Sequence, residues 1–360
     1  MITLSLCMIV KNEEKVLGRC LESVKDIVDE IIIIDTGSTD KTKEIARKYT
    51  NHIFDFKWCD DFSKARNFSF SKATKDYLIW LDADDVILEN DQKKLLDLKS
   101  STSLDTDIIM LKYNTGFDEN GNVNFSYYRE RILKREKKYK WISPIHEVIV
   151  PKGNIVYSDI AITHKKIEDS NPKRNLIIFE KMIKNGVKLD PRQQFYYARE
   201  LYYNKKYKKA IKNFNIFLDS KDGWSENKIN ACVDLHYCYL AINDTTNAFL
   251  SLTKSFMFDI PRAEICCHLG SFFFNKNQYN EAIYWYKKAT TLPIDTTKGG
   301  FYNLDCYNFL PYLQLCVCYY KLGNIQEAIK YNELAGKDKP NNSAYLLNKE
   351  FFLSLKTQIN

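Results

Sequence analysis

YLIWLDADDVI, Tyr77 to Ile87, is the stretch on which the reading of this chain turns. Four apolar residues, Leu78 to Leu81, stop abruptly at Asp82, and Asp84 and Asp85 follow within three positions. A bounded apolar run this short reads as a buried strand. The carboxylates at its mouth serve either as a turn with a helix cap or as a grip on a metal ion, and the flanking sequence must choose.

Upstream, LSLCMIV (Leu4 to Val10) is β-rich and ends at Lys11, Asn12 and Glu13. EKVLGRCLESVKDI then carries Val16, Leu17, Cys20, Leu21 and Val24 at helical spacing. IIIID, Ile31 to Asp35, is too short and too β-branched for a helix; after Gly37, any of Ser38, Thr39 or Asp40 can cap the helix of GSTDKTKEIARKY. Strand, helix, strand, helix, strand up to Leu81 implies a parallel sheet with right-handed crossovers and helices on both faces. Such sheets bind ligands outside the carboxyl ends of their strands. Those ends are Lys11-Asn12-Glu13, Asp35-Thr36-Gly37 and Asp82-Ala83-Asp84, all polar and two of them acidic. On an extended backbone Asp82 and Asp84 share one face, where they could hold Mg²⁺ or Mn²⁺ beside diphosphate oxygens. Asp85 is expected to cap the following turn.

The 360 residues predict two domains, each long enough for its own core. With 53 basic against 46 acidic residues, the net charge of +7 argues against a dedicated nucleic-acid binder and leaves room for an anionic small ligand. Ten cysteines scattered through apolar patterns, such as Cys7, Cys232 and Cys266, read as reduced core residues rather than a disulfide framework. Cys316 and Cys318 lack the spacing of a zinc or redox pair, and a helix would turn them to different faces. MITLSLCMIV runs into KNEEK without a cleavage-type end, and no apolar run approaches the roughly 20 residues of a membrane helix. A soluble, cytoplasmic chain is expected.

Beyond about residue 170 the period becomes helical. YARELYYNKKYKKAIKNF, LGSFFFNKNQYNEAIYWYKKA and QLCVCYYKLGNIQEAIKYNELA resemble one another, with a weaker copy in LAINDTTNAFLSL. Their alanines, Ala210, Ala248, Ala282 and Ala328, are separated by 38, 34 and 46 residues, and 34 is the period of tetratricopeptide repeats. Pro261, Pro293 and Pro340 fall where the second helix of a repeat should close. The aromatic residues Tyr196, Tyr197, Tyr202, Tyr203, Phe272, Phe273, Phe274, Tyr284, Trp285 and Tyr286 are expected mostly in the core between paired helices.

In order, CMIVKNEE, IIIIDTGSTDKT, DFSKARN and IWLDADD resemble the family 2 glycosyltransferases of the GT-A fold. The resemblance implies an α/β GT-A domain over residues 1–168, Rossmann-like, with a mostly parallel sheet and helices on both faces. An all-α tetratricopeptide-like domain would follow over 169–360, for acceptor binding or for self-association as a homodimer. It implies that Asn12, Glu13 and Asp35 hold the nucleotide, Arg66 the diphosphate and Asp82 the ribose, with Asp84, Asp82 and His164 as ligands to Mn²⁺ or Mg²⁺. Thr36 stands where many members have a second acidic residue, which leaves the base identity, usually uracil, open. RERILKREKKYKWISPIHEVI resembles the segment after the donor site in members fused to tetratricopeptide-like helices, including those that modify bacteriocin peptides and flagellins. Glu147 is the implied general base, with His146 or Asp85 as alternatives, and the basic run Arg129, Arg131, Lys134, Arg135, Lys137 and Lys138 is expected mostly as a solvated face. The implied activity is metal-dependent, inverting transfer of glucose or N-acetylglucosamine from a UDP-sugar to a Ser/Thr hydroxyl or Cys thiol of a peptide or protein. Two other readings stand beside it: a saccharide or lipid-linked glycan as acceptor, or a non-catalytic repeat scaffold beside a dead transferase domain.

Overall fold

A computed structural model of the chain describes residues 1–103, 105–167, 172–294 and 300–359. They form two compact units: residues 1–115 with 126–181, and residues 116–125 with 182–360. The boundary expected at residue 168 lies outside the described residues. The division itself falls later, at 181/182, and the second unit also includes a short segment from the middle of the first half.

Ten strands are present among the described residues. They are β1 (Leu4–Val10), β2 (Glu30–Asp35), β3 (Ile53–Asp55), β4 (Tyr77–Trp80), β5 (Asp85–Ile87), β6 (Ile108–Phe117), β7 (Val123–Lys134), β8 (Trp141–Ile142), β9 (Val148–Ile149) and β10 (Ile155–His164). Five helices accompany them: α1 (Leu17–Glu22), α2 (Thr42–Ala46), α3 (Phe62–Lys72), α4 (Glu89–Ser101) and α5 (Arg174–Lys184). Eight strands make one mostly parallel sheet in the order β3-β2-β1-β4-β7-β6-β10-β5. β1 pairs in parallel with both β2 and β4, which makes it the point where the chain changes direction across the sheet.

Alternation along β1 feeds two cores. Leu4, Leu6 and Met8 join Ile31, Ile33 and Ile79 with Leu17, Cys20 and Leu21 of α1 on one face. Cys7 joins Ile32, Ile34, Leu78 and Trp80 with Phe70 of α3 on the other. That two-sided burial is why these strands read as continuous apolar runs. The sequence pattern missed β3, whose three residues are too few to show a period, and α3. α3 starts at Asp61, whose carboxylate accepts from the Lys64 amide at 3.1 Å. α1 is shorter than its apolar stripe suggests, because the chain continues past Ser23 in turns such as Val24 N to Leu21 O at 3.2 Å.

The second unit is built from helices: α6 (Pro191–Tyr203), α7 (Tyr207–Asp219), α8 (Ser225–Ala241), α9 (Thr245–Lys254), α10 (Ala263–Asn275), α11 (Tyr279–Ala289), α12 (Phe309–Lys321), α13 (Ile325–Asp338) and α14 (Ser343–Ile359). Ala210, Ala248, Ala282 and Ala328 lie on α7, α9, α11 and α13, the second helix of each pair, and all are sealed from solvent. Gly270 shows why a small residue is needed on α10: a Cβ there would meet Cε1 of Tyr286 at 2.7 Å. The tip between β6 and β7 belongs to this unit as well: Asp118 pairs with Lys339 at 3.1 Å, and Glu119 accepts from Ser343.

Of the ten aromatics expected in this core, only Tyr286 is fully buried; Tyr203 and Tyr284 are exposed and the others lie half-buried. Phe273, Phe274 and Trp285 still pack against the buried clusters, and Phe195, Phe214 and Phe217 of α6 and α7 are fully buried against one another. Nine of the ten cysteines are buried and free, and Cys59 is exposed. Cys316 packs with Ala328 and Phe352, Cys318 in a separate cluster with Ala282 and Tyr286, so the two do face apart.

Candidate functional site

A cavity of about 840 Å³ opens within the first unit at the carboxyl ends of β1, β2 and β4. Residues 11–16 after β1, Thr36 and Asp40 after β2, and Asp82 to Asp84 after β4 line it. Eight of the nine site residues named from the sequence share this wall: Asn12, Glu13, Arg66, Asp82, Asp84, His146, Glu147 and His164. Asp35 does not line it. Its buried carboxylate accepts instead from the amides of Gly37 at 3.1 Å and Ser38 at 3.0 Å. Gly37 has φ of 105°, and this left-handed turn is what folds the two amides back onto the carboxylate.

Asp82, Ala83 and Asp84 are not extended. The Asp85 amide donates to Asp82 O at 3.1 Å and the Asp82 amide to Asp85 Oδ2 at 3.0 Å, closing a turn. The two carboxylates consequently take different partners on the same cavity. Asp82 accepts from Arg66 Nη2 at 2.7 Å; burial opposes its ionisation, but the guanidiniums of Arg66 and Arg131 outweigh that and hold it at about 2. Asp84 lies 3.4 Å from His164 Nδ1, and burial raises its pKa, with Asp82 and Asp85 adding to the rise.

Arg66, on α3, is clamped. Its Nε donates to Glu147 at 2.6 Å, and its guanidinium packs over the edge-to-face pair of Trp80 (5.2 Å) and Trp141 (4.8 Å). Glu147 is therefore oriented by an ion pair, while His146, at φ 49°, stacks on Phe179 of α5. Glu13 is pushed up to about 7, first by burial and then by the charges of Asp84, Asp82 and Asp40. Asn12 ties two loops together: its amide donates to Ser38 Oγ at 3.0 Å and its Oδ1 accepts from the Thr39 amide at 2.8 Å.

Asp85 does not cap a turn that follows it; its carboxylate accepts from the Asp82 amide of the turn before it. It opens β5, is fully buried, and pairs across the strands with His164 of β10. Asp84, Asp85 and His164 each offer a ligand atom, all within 4.8 Å of one another. Nor is the basic run simply a solvated face, since Arg131 has no solvent exposure and pairs with Asp85 at 3.1 Å. Alternation could not have shown this, because Glu130, Arg131, Ile132 and Leu133 are all buried and both faces of the strand are covered there. Lys11, named from the sequence only as part of a strand end, joins Lys15, Lys166 and Arg174, which sequence reasoning missed, in adding positive charge to the cavity wall. Lone cations carry no periodic signal, and Arg174 lies outside the motif region.

Comparison with known proteins places this geometry. Residues 5–156 match the family model described as glycosyl transferase family 2. A TPR repeat-containing protein of Synechococcus elongatus is 38% identical over 152 residues, covering 41% of this chain and 36% of the relative. The SPbeta prophage-derived glycosyltransferase SunS of Bacillus subtilis is 28% identical over 245 residues, covering 61% of this chain and 56% of its own. The chain thus spans 36% and 56% of the lengths of these two relatives. Among solved structures, S. aureus TarS 1-349 aligns over 71% of this chain and 89% of its own, at 14% identity and a TM-score of 0.35. No helix among the described residues is long and apolar enough to cross a membrane.

Proposed function

We propose that the first unit transfers glucose or N-acetylglucosamine, with inversion, from a UDP-sugar to a Ser/Thr hydroxyl or Cys thiol of a peptide or protein. What carries the reading is the convergence in one cavity of Asp82, Asp84, His164 and Glu147 with the cations Lys11, Lys15, Lys166 and Arg174. A donor with an anionic diphosphate and a sugar needs both kinds of partner. The family match over residues 5–156 and the likeness to SunS support the reaction class.

Two carboxylates and an imidazole suit Mn²⁺ or Mg²⁺; Asp84 and Glu13 are raised first by burial and then by neighbouring carboxylates, whose charge a cation would offset. Asp84 and His164 would hold it, with Asp82 beside them toward the ribose. When bound, such a cation offsets charge on the departing diphosphate. Glu147, held by Arg66, would take the acceptor's proton as its oxygen or sulfur attacks the anomeric carbon and the diphosphate leaves with the bonding pair. The helical unit would hold the acceptor, since stacked helix pairs offer an extended surface to a peptide.

Intact-mass analysis of candidate peptides, incubated with the full chain, Mn²⁺ and a panel of UDP-sugars, tests this. A gain of one hexose or N-acetylhexosamine, lost in Asp84→Ala, is expected. Failure of the wild-type protein to bind any nucleotide diphosphate at millimolar concentration would sink it.

A further inference from the structure

Beneath the Asp82–Ala83–Asp84 turn lies an ion pair with no solvent contact: Arg131 and Asp85, both sealed, 3.1 Å apart. Arg131 is among the largest fully buried side chains of the described residues. It donates also to Trp80 O at 3.1 Å and its guanidinium carbon lies 3.7 Å from the centre of the Trp80 ring and 4.2 Å from that of Tyr113, while its Nε and Nη2 have no hydrogen-bond partner. Such a pair adds little net stability, because desolvating both charges offsets their attraction. Its effect must be sought in what it holds.

Asp85 Oδ2 accepts from both Arg131 and the Asp82 amide, which fixes the turn from inside. Its Oδ1 accepts from the Tyr113 hydroxyl at 2.9 Å. Tyr113 has one proton to give, so toward His164 Nδ1, 3.0 Å away, its oxygen can only accept. That places the proton of the neutral imidazole on Nδ1, in keeping with the Oδ1 atoms of Asp84 and Asp85, each 3.4 Å from it. Nε2 is left with its lone pair.

We propose that Asp85, Tyr113 and Arg131 are positioning residues that fix the 82–85 turn and the Nδ1-protonated tautomer of His164, presetting Asp84 and His164 for a divalent cation. The inference rests on the cation reading given under Proposed function. Groups that orient a metal's ligands in this way commonly alter affinity 10–100-fold when removed.

Tyr113→Phe removes one hydroxyl and keeps the ring against Arg131. Free Mn²⁺ followed by electron paramagnetic resonance, with UDP present, should show affinity about tenfold weaker than wild type. UDP affinity in chelator-containing buffer should be unchanged, which shows the cavity still folded. Long-range proton–nitrogen spectra of ¹⁵N-histidine-labelled wild-type protein, in alkaline buffer, should report the proton of His164 on Nδ1. Mn²⁺ affinity within about twofold of wild type, or a proton on Nε2, overturns the inference while the cation reading stands. Wild-type protein that takes up no Mn²⁺ in the presence of UDP overturns that reading and this inference with it.

Discussion

Replacing Arg66 by alanine leaves two carboxylates facing each other without their shared cation. Side-chain exposure is 10% for Arg66, 13% for Glu147 and 35% for Asp82, so one arm of the pair is well buried and the other partly wet. Removing one partner of a buried pair costs about 3–5 kcal/mol, and the exposure of Asp82 puts the expected loss near the lower end, about 3 kcal/mol. Part of that loss is pH-dependent. Asp82 is held at about 2, against an ordinary value of 3.8, once the guanidiniums overcome its burial. At about 1.4 kcal/mol per unit the full shift would give roughly 2.4 kcal/mol, and screening at a group one-third exposed reduces it to about 1 kcal/mol. A depressed carboxylate stabilises above its unfolded pKa and loses that contribution as pH falls toward the folded one. The gap between wild type and Arg66→Ala should therefore be about 3 kcal/mol at neutral pH and narrow by about 1 kcal/mol as pH falls from roughly 5 through about 2. Urea titrations followed by tryptophan fluorescence are apt, because Trp80 and Trp141 pack against the guanidinium. A loss under about 1 kcal/mol, or a gap that does not change with pH, refutes the clamp.

Glu13, raised to about 7, is largely neutral below that pH, so in chelator-containing buffer UDP should bind several-fold tighter at about pH 6 than at about pH 8. Glu13→Gln should flatten that dependence in calorimetry. Gly270→Ala, whose new methyl would meet Tyr286 at 2.7 Å, should destabilise the helical unit by about 1–3 kcal/mol in a circular-dichroism melt. Aromatic-disulfide titration of the native protein should find one fast thiol, at Cys59, and the Cys59→Ser variant should lose it. Asp84→Ala should abolish Mn²⁺ stimulation of donor hydrolysis in a UDP-release assay while leaving the far-ultraviolet spectrum unchanged.

Local patterns made much of the first unit legible. β1, β2 and β4 are runs buried on both faces, and such runs announce themselves by composition. Their polar ends pointed to the cavity because a parallel sheet brings those ends together whatever loops follow. The repeat alanines were legible for a similar reason: each recurs at a sealed position on the second helix of a pair. The failures have one physical source. Asp35, Asp85 and Arg131 were read by type, as ligand, cap and surface charge, but type does not say which face a residue occupies in an irregular turn or at a sheet edge.

Those assignments depend on partners distant along the chain. Asp85 meets Tyr113, Arg131 and His164 only because β5 pairs with β10 at the far edge of the sheet and β6 and β7 lie between β10 and β4. Arg66 reaches Glu147 and Asp82 across 81 and 16 residues respectively. Apolar periodicity is a property of neighbours in sequence, and it settles which segments are strands and helices and where their polar ends fall. Pairing of charges is a property of neighbours in space; it was strand order and register that turned Asp82 toward Arg66, left Asp84 beside His164, and sealed Asp85 beneath them.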